Sequence, residues 1–334
     1  MSTRRRIAVL GGGRSSEHEV SLASAASVAA GLRSAGHTVL EVEVTREGRW
    51  RAEAAELSFS PGCGWPGIDV VFPALHGPFG EDGTVQGLLE LLDVAYVGAG
   101  VLASAACMDK VTFKRLMGAG DIPQVPYRAV AARDFRQAPA GILGELETLG
   151  LPVFVKPARL GSSVGIGRVL DPAELRPALV EAFTHDSLAI VEAAAAGIEV
   201  ECGVRGDEDP SASEPGEILL AAGESGWYDY AAKYTPGAMR LIVPARISET
   251  ARRRVRELAT EAFTRAGCAG LARVDFFVDG ESVLVNELNT MPGFTDTSVY
   301  GLLFAASGMA YPELLDRLVS LALERHERQR AYAF

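Results

Sequence analysis

The chain has 334 residues, 48% hydrophobic and 22% charged, with 36 glycines and a formal net charge of −11. That length allows two or three domain-sized units with ample core, while an acidic balance argues against DNA or RNA as a partner. The cysteines Cys63, Cys107, Cys202 and Cys268 form no CxxC pair and speak against zinc or a disulfide framework. No apolar run is long enough to span a bilayer, and Ile7–Leu10 after Arg4–Arg6 is too short for a signal segment, so a cytoplasmic protein is expected.

In chain order, Ile7–Leu10 reads as a buried strand entering a turn at Gly11–Gly13. A helix follows over about Val20–Leu32, then strands at Val39–Val44 and Asp69–Ala74. This β-α-β opening predicts an open, mostly parallel sheet. Gln86–Leu92 reads as a helix, Ala95–Val97 as a strand and Ala103–Met117 as one helix. Arg133–Gly150 reads as a variable connection with one helix. Pro152–Lys156 and Ile166–Leu170 are expected to form a hairpin around Gly161–Gly165. Arg205–Glu217, with Pro210 and Pro215, suggests a surface excursion. Glu249–Ala266 is an amphipathic helix whose Arg252, Arg253, Arg254 and Arg256 belong to a solvated face. A last helix starts near Pro312.

The most informative segment runs from Arg273 to Asn289, two strands around Gly280. A three-residue loop, Gly280–Ser282, would set Asp275 opposite Glu287 and Arg273 opposite Asn289 on one face. Facing carboxylates repel unless a cation lies between them, and oxygen ligands of this kind suit Mg²⁺. A second segment, Val155–Gly165, delivers Lys156 from a strand into a loop with Ser162, Ser163 and two glycines, which can close over phosphates. It is not a Walker A loop, since no helix follows. Tyr228–Tyr234 joins Lys233 to aromatic hydroxyls. His76 sits at the carboxyl end of a strand, where ligands bind in open sheets. Gly11 and Gly13 match a GxGxxG dinucleotide fingerprint only in part, because Ser16 stands where the last glycine belongs, so an NAD enzyme is a weak alternative.

Seven segments, colinear and spread over nearly the whole chain, resemble the D-alanine–D-alanine ligase family. They are Gly12–Ser21, His76–Gly87, Ala103–Lys110, Val155–Gly165, Asp229–Tyr234, Ala272–Phe277 and Asn286–Thr295. The resemblance implies an α/β protein: an N-terminal doubly wound parallel-sheet domain (1–108), then a two-subdomain ATP-grasp fold of α+β character. The latter divides into a central lid (109–198) and a C-terminal part bearing the metal and substrate sites (199–330). It implies that Lys110 and Lys156 contact ATP phosphates and that the loop with Ser162, Ser163 and Val164 closes over them. Glu192, with Ala193 and Ala195, and Glu199 would meet adenine and ribose. Asp275, Glu287 and Asn289 would hold two Mg²⁺ ions, for which Mn²⁺ can substitute. Glu17 would bind the ammonium of the first D-alanine and link to Ser162 and Tyr234. Arg273 and the Gly293 backbone would form the oxyanion site. Lys233, also near the nucleotide, and Ser298 would hold the second D-alanine, with His76 beside the substrates. The chain departs from the pattern at Ala193–Ala196, where relatives commonly carry larger residues.

The implied activity is ATP-dependent joining of two D-alanines through an acyl phosphate, for peptidoglycan precursor synthesis, by a homodimer without nucleic-acid or membrane partners. Charge neutralisation and alignment serve the phosphoryl transfer, pre-placed donors serve the oxyanion, and closing loops exclude water. Tyr234 resembles ligases making D-Ala-D-Ala rather than D-Ala-D-lactate, and D-serine acceptors stay compatible. Two further readings are an ATP-grasp ligase with another acceptor, such as D-serine or D-lactate, or of a secondary pathway, and a nucleotide-binding module without catalysis.

Overall fold

The computed structural model describes residues 4–53, 55–161, 164–220 and 239–333. Its first sheet is built from β1 (Arg6–Gly12), β2 (Thr38–Val44), β3 (Trp50–Ala52), β4 (Ala55–Glu56), β5 (Val70–Pro73) and β6 (Ala95–Tyr96), in the order β4-β3-β2-β1-β5-β6. β1 runs parallel to β2 and β5, and β5 parallel to β6. β1 therefore lies at the switch point, where the chain moves from one side of the sheet to the other. Its residues alternate between two cores. Ile7 and Val9 face α1 (His18–Ser34), and Ala8 and Leu10 face α2 (Thr84–Leu91). Burial on both faces is why this strand is continuously apolar. The glycines after it serve its turn: a Cβ on Gly12 would lie 2.4 Å from the Val44 carbonyl oxygen, and Gly12 and Gly13 have φ of +94° and +100°. No dinucleotide is needed to explain them.

The expected helix over Ala103–Met117 is two helices, α3 (Val101–Met108) and α4 (Lys110–Gly118). Asp109 leaves helical geometry (φ −87°, ψ 102°) and its side chain accepts the Thr112 N–H, so it caps α4 and turns the chain. After β7 (Tyr127–Ala131), the expected single helix is likewise a pair, α5 (Ala132–Gln137) and α6 (Pro139–Glu147). Pro139 at the start of α6 cannot continue α5.

The second sheet adds β8 (Val153–Pro157), β9 (Gly167–Val169) and β10 (Leu188–Ala193), in the antiparallel order β7-β10-β8-β9, with α7 (Leu175–His185) between β9 and β10. β8 and β9 form the expected hairpin, Val153 opposite Val169. Val153, Val155 and Val191 pack on one face against Phe135, Leu146, Leu175 and Leu179 of α5–α7.

The third sheet comprises β11 (Ile198–Gly206), β12 (Ser211–Ala212), β13 (Gly216–Leu220), β14 (Met239–Ile242), β15 (Gly270–Asp279) and β16 (Ser282–Asn289). Its order is β14-β13-β11-β15-β16, with the short β12 folded back on β11, which is how the polar excursion after Arg205 is accommodated. One face is covered by α8 (Glu249–Arg265) together with α3 and α4. The α8 arginines lie on its outer side, paired with Glu249, Glu257 and Glu214. Then α9 (Val299–Ala306) and α10 (Tyr311–Arg330) return to the first sheet, where Tyr300, Leu314, Leu315 and Leu318 join the core of Ile7 and Val9. Among the described residues no helix is long and apolar enough to cross a membrane.

Candidate active site

The free faces of the second and third sheets, the start of α1, the loop after β5 and the turn after β16 line a cavity of about 410 Å³, a size suited to small molecules. Its floor is the β11-β15-β16 strip. Asp275 stands opposite Glu287 and Arg273 opposite Asn289, as expected, but by a different route. The turn is the two-residue Gly280-Glu281, since Asp279 pairs with Ser282, and the missing residue is restored by a bulge at Asn286, between the Phe276–Val285 and Asp275–Glu287 pairs. The core pattern explains the bulge. Val283 and Val285 are buried on one phase of the strand and Leu288 on the other, so the strand must change phase between them.

On the other side of β15, Glu201 pairs with Asp275. Glu201, Asp275 and Glu287 thus form a row across adjacent strands, all lining the cavity. Arg273 relieves the repulsion between Asp275 and Glu201. Its Nε and Nη2 donate at 2.7 Å to Oδ1 and Oδ2 of Asp275, and Nε lies 2.9 Å from Glu201 Oε2. Asn289 Nδ2 donates to Asp275 Oδ2 at 3.1 Å. Among the described residues no group of three or more His, Cys, Asp or Glu is arranged as a metal site. The side chains of Asp275, Glu287 and Asn289 nevertheless suit a hard cation: two carboxylates and an amide that can turn its oxygen inward line this strip, where Arg273 already meets Asp275 and Lys110 lies near Glu287.

The facing wall carries a second charged group. Lys156 on β8 places Nζ 2.5 Å from Glu192 Oε2 on β10, and Lys114 on α4 places Nζ 2.7 Å from Glu192 Oε1. Burial alone would push the Glu192 carboxyl up, but the ammonium groups of Lys156 and Lys114 overcome it and bring the pKa down to about 2. Burial likewise opposes the charge on Lys156, yet Glu192 and then Glu287 reverse this and raise it. For Lys114 burial prevails and its pKa is lowered. Lys110, at the start of α4, donates to the Leu160 carbonyl at 2.7 Å and lies 3.9 Å from Glu287 Oε2, so it bridges the two walls. Glu199, Ala193 and Ala195 also line the cavity, as do Phe154, Ile166 and Met108. The N–H groups of Ala193 and Ala194 donate to the Pro126 and Pro152 carbonyls, so donors to a base at those positions must come from elsewhere.

At the β1 end, Glu17 immediately precedes α1, and its N–H donates to Ser15 Oγ, which donates to the His76 carbonyl. A Cβ on Gly77 would come 2.4 Å from Glu17 Oε2 and one on Gly161 3.2 Å, so the carboxylate is wedged between the first sheet and the loop after β8. His76 is buried, with Nε2 2.9 Å from Ser24 Oγ and Nδ1 3.1 Å from the Met291 carbonyl and 3.4 Å from Glu81 Oε1. Two acceptors at Nδ1 put the proton there. Burial lowers the His76 pKa, but the Glu81 carboxylate outweighs it and the net shift is upward. Gly293 lines the cavity directly in front of Ser298: a Cβ there would lie 2.8 Å from Ser298 Oγ. Ser298 Oγ accepts the Thr295 N–H at 2.9 Å and is not itself among the lining residues, nor is Val164, whose N–H closes a turn onto Gly161. Ser162, Ser163, Lys233 and Tyr234 lie outside the described residues.

Sequence reading does not single out Glu201, Lys114 or Glu81. The first two carried a signal: Glu201 follows Glu199 at strand spacing, and Lys114 follows Lys110 at helical spacing, so each shares a face with a chosen residue.

Residues 116–320 match the family described as D-ala D-ala ligase C-terminus, and residues 6–61 and 64–99 the D-ala D-ala ligase N-terminus. The chain belongs to the D-alanine–D-alanine ligase family. Among the relatives of this family, the D-alanine–D-alanine ligase of Deinococcus radiodurans is 45% identical, over 96% of this chain and 99% of that protein. The D-alanine–D-alanine ligase of Coxiella burnetii has a solved structure that superposes with a TM-score of 0.88 at 36% identity, covering 98% of this chain and 96% of that one. The D-Ala:D-Ser ligase VanG of Enterococcus faecalis superposes at 0.85 with 34% identity, covering 96% and 100%. These likenesses make the fold that of the ATP-grasp ligases, as expected from the sequence.

Proposed function

We propose that this chain joins two D-alanine molecules to D-alanyl-D-alanine with ATP as the energy source, for peptidoglycan precursors. The observation that carries the reading is the cavity with a carboxylate-rich floor bearing Arg273, Asp275 and Glu287, a lysine-bearing wall and Glu17 at its end, in a chain 45% identical to a D-alanine–D-alanine ligase.

Glu17 takes the ammonium of the first D-alanine, beside His76, whose proton on Nδ1 is held toward Met291 and Glu81. The carboxylate of this substrate attacks the terminal phosphorus of ATP, giving an acyl phosphate and ADP. The amine of the second D-alanine then adds to the acyl carbon, and phosphate leaves from the tetrahedral intermediate. Lys110 and Lys156 supply positive charge to the phosphates; Glu192, Ala193, Ala195 and Glu199 line the adenosine end. Arg273 and the Gly293 N–H hold the developing oxyanion. Ser298, behind Gly293, fixes the turn beside the acceptor's carboxylate. Asp275, Glu287 and Asn289 would hold two Mg²⁺ ions, with Mn²⁺ a substitute, which neutralise and align phosphate oxygens. Ser162, Ser163 and Val164 belong to the phosphate-covering loop, Ser162 and Tyr234 link to Glu17, and Lys233 holds the second D-alanine near its carboxylate. The division of labour proposed is 1–108 for substrate, 109–198 for the lid and 199–330 for metal and substrate. A cytoplasmic homodimer completes the reading.

The likeness to VanG, a D-Ala:D-Ser ligase, keeps D-serine open as an acceptor. Phosphate release from ATP tests the main reading. It should need both D-alanine and Mg²⁺, and release with L-alanine but not D-alanine would remove it.

A further inference from the structure

Lys114 is the most deeply buried of the cavity's charged neighbours, with a side chain 1% exposed, yet it is not among the lining residues. It comes from α4 one helical turn after Lys110, so one helix sends two lysines toward the two sheets. Its partner Glu192 is also buried, 5% exposed, and divides its oxygens: Oε1 to Lys114 and Oε2 to Lys156. Only Lys156 of that pair faces the cavity. A nucleotide phosphate entering beside Lys156 competes with Glu192 for its ammonium group. If Lys156 turned away and nothing else met Glu192, a buried carboxylate would be left without a counter-charge, which is strongly unfavourable.

We propose that Lys114 is a positioning residue that stays on Glu192 and so frees Lys156 to engage the nucleotide. The inference rests on the nucleotide-binding reading of this cavity, and it assigns Lys114 no contact with substrate. Lys114 acts through Glu192: with that carboxylate held by a lysine that never leaves, Lys156 moves toward phosphate without orphaning it. The second lysine also leaves the triad one positive charge in excess, on the wall where anions are received.

The test is a cycle of four proteins: wild type, Lys114→Met, Glu192→Gln and the double variant. Binding of ADP with Mg²⁺ is measured by calorimetry, and kcat and KM for ATP are measured with saturating D-alanine. In the wild-type background K114M should weaken ADP binding and raise the KM for ATP by about tenfold or more, with kcat within about threefold. In the E192Q background the same substitution should change ADP binding by less than about threefold, because a neutral amide neither holds Lys156 nor needs a counter-charge. Equal losses in both backgrounds, or a kcat loss at unchanged KM, would overturn the proposal. If K114M is not recovered folded, Lys114→Gln replaces it: the donor remains but the charge is gone, and the same split is expected. Wild type that binds ADP but shows no D-alanine-dependent turnover would contradict the ligase reading alone. An unaltered ADP affinity in K114M, with D-alanine-dependent turnover intact, would contradict this inference alone.

Discussion

At Asp275 both carboxylate oxygens are taken by one guanidinium, and that guanidinium also reaches Glu201. A divalent ion arriving at Asp275 competes with Arg273 for the same carboxylate, and Glu201 shares that guanidinium. Glu201→Gln leaves Asp275 as the sole carboxylate among these contacts. The Mg²⁺ concentration for half-maximal D-alanine-dependent phosphate release should then rise by about tenfold, because a guanidinium charge no longer shared with Glu201 competes more strongly for Asp275. A Mg²⁺ titration of the purified variant checks this, and an unchanged midpoint counts against it. Asp275 and Glu287 were legible in the sequence because both sit on one hairpin, where spacing fixes the pairing. Glu201 was not, since it reaches Asp275 from β11, 74 residues earlier by number, and no local pattern records which strands become neighbours.

The elements show where spacing misleads. The strand Ser282–Asn289 has apolar residues at 283, 285 and 288, and this change of phase marks a bulge. A three-residue turn reproduces the Asp275–Glu287 pair but would set Asn286 opposite Phe276, in the core. Deleting Asn286 should restore uninterrupted alternation and preserve folding. D-alanine-dependent turnover should still fall by about tenfold or more, because a bulge aims its neighbouring side chains. Asn286→Ala, which keeps the bulge, should fall far less. Circular dichroism and turnover of the two variants separate register from aim. Helix boundaries failed for a related reason. Ala103–Lys114 carries neither proline nor glycine, and the break comes from Asp109 acting as a cap, which becomes decisive only once Lys110 must meet the loop at Ala158 and Leu160.

On the scale of the whole molecule, the first and last segments of the chain share one core. Gly31 allows α1 to approach α10: a Cβ there would meet Leu315 Cδ1 at 2.5 Å. Arg325, buried near the end of α10, donates to the carbonyls of Tyr96 and Gly98 and stacks 4.5 Å over the Tyr96 ring, tying α10 to the end of β6. Arg325→Met should cost about 2–4 kcal/mol by leaving both carbonyls without that donor. It should lower the melting temperature while leaving turnover per folded molecule near that of wild type, and a calorimetric scan with an activity assay shows whether it does. The parallel β-α-β opening announced the first sheet. The return of α9 and α10 to it, after the chain has built two further sheets, could not be read from local periodicity, because an amphipathic helix states that it has a buried face and not what buries it.

The most direct measurement is the mass of the product formed from ATP, Mg²⁺ and an equimolar mixture of D-alanine, D-serine and D-lactate. D-alanyl-D-alanine should be the dominant product, formed together with ADP and phosphate. A mixed product with D-serine or D-lactate in excess would contradict the assigned acceptor, and ADP formation without any condensed product would contradict the ligase itself.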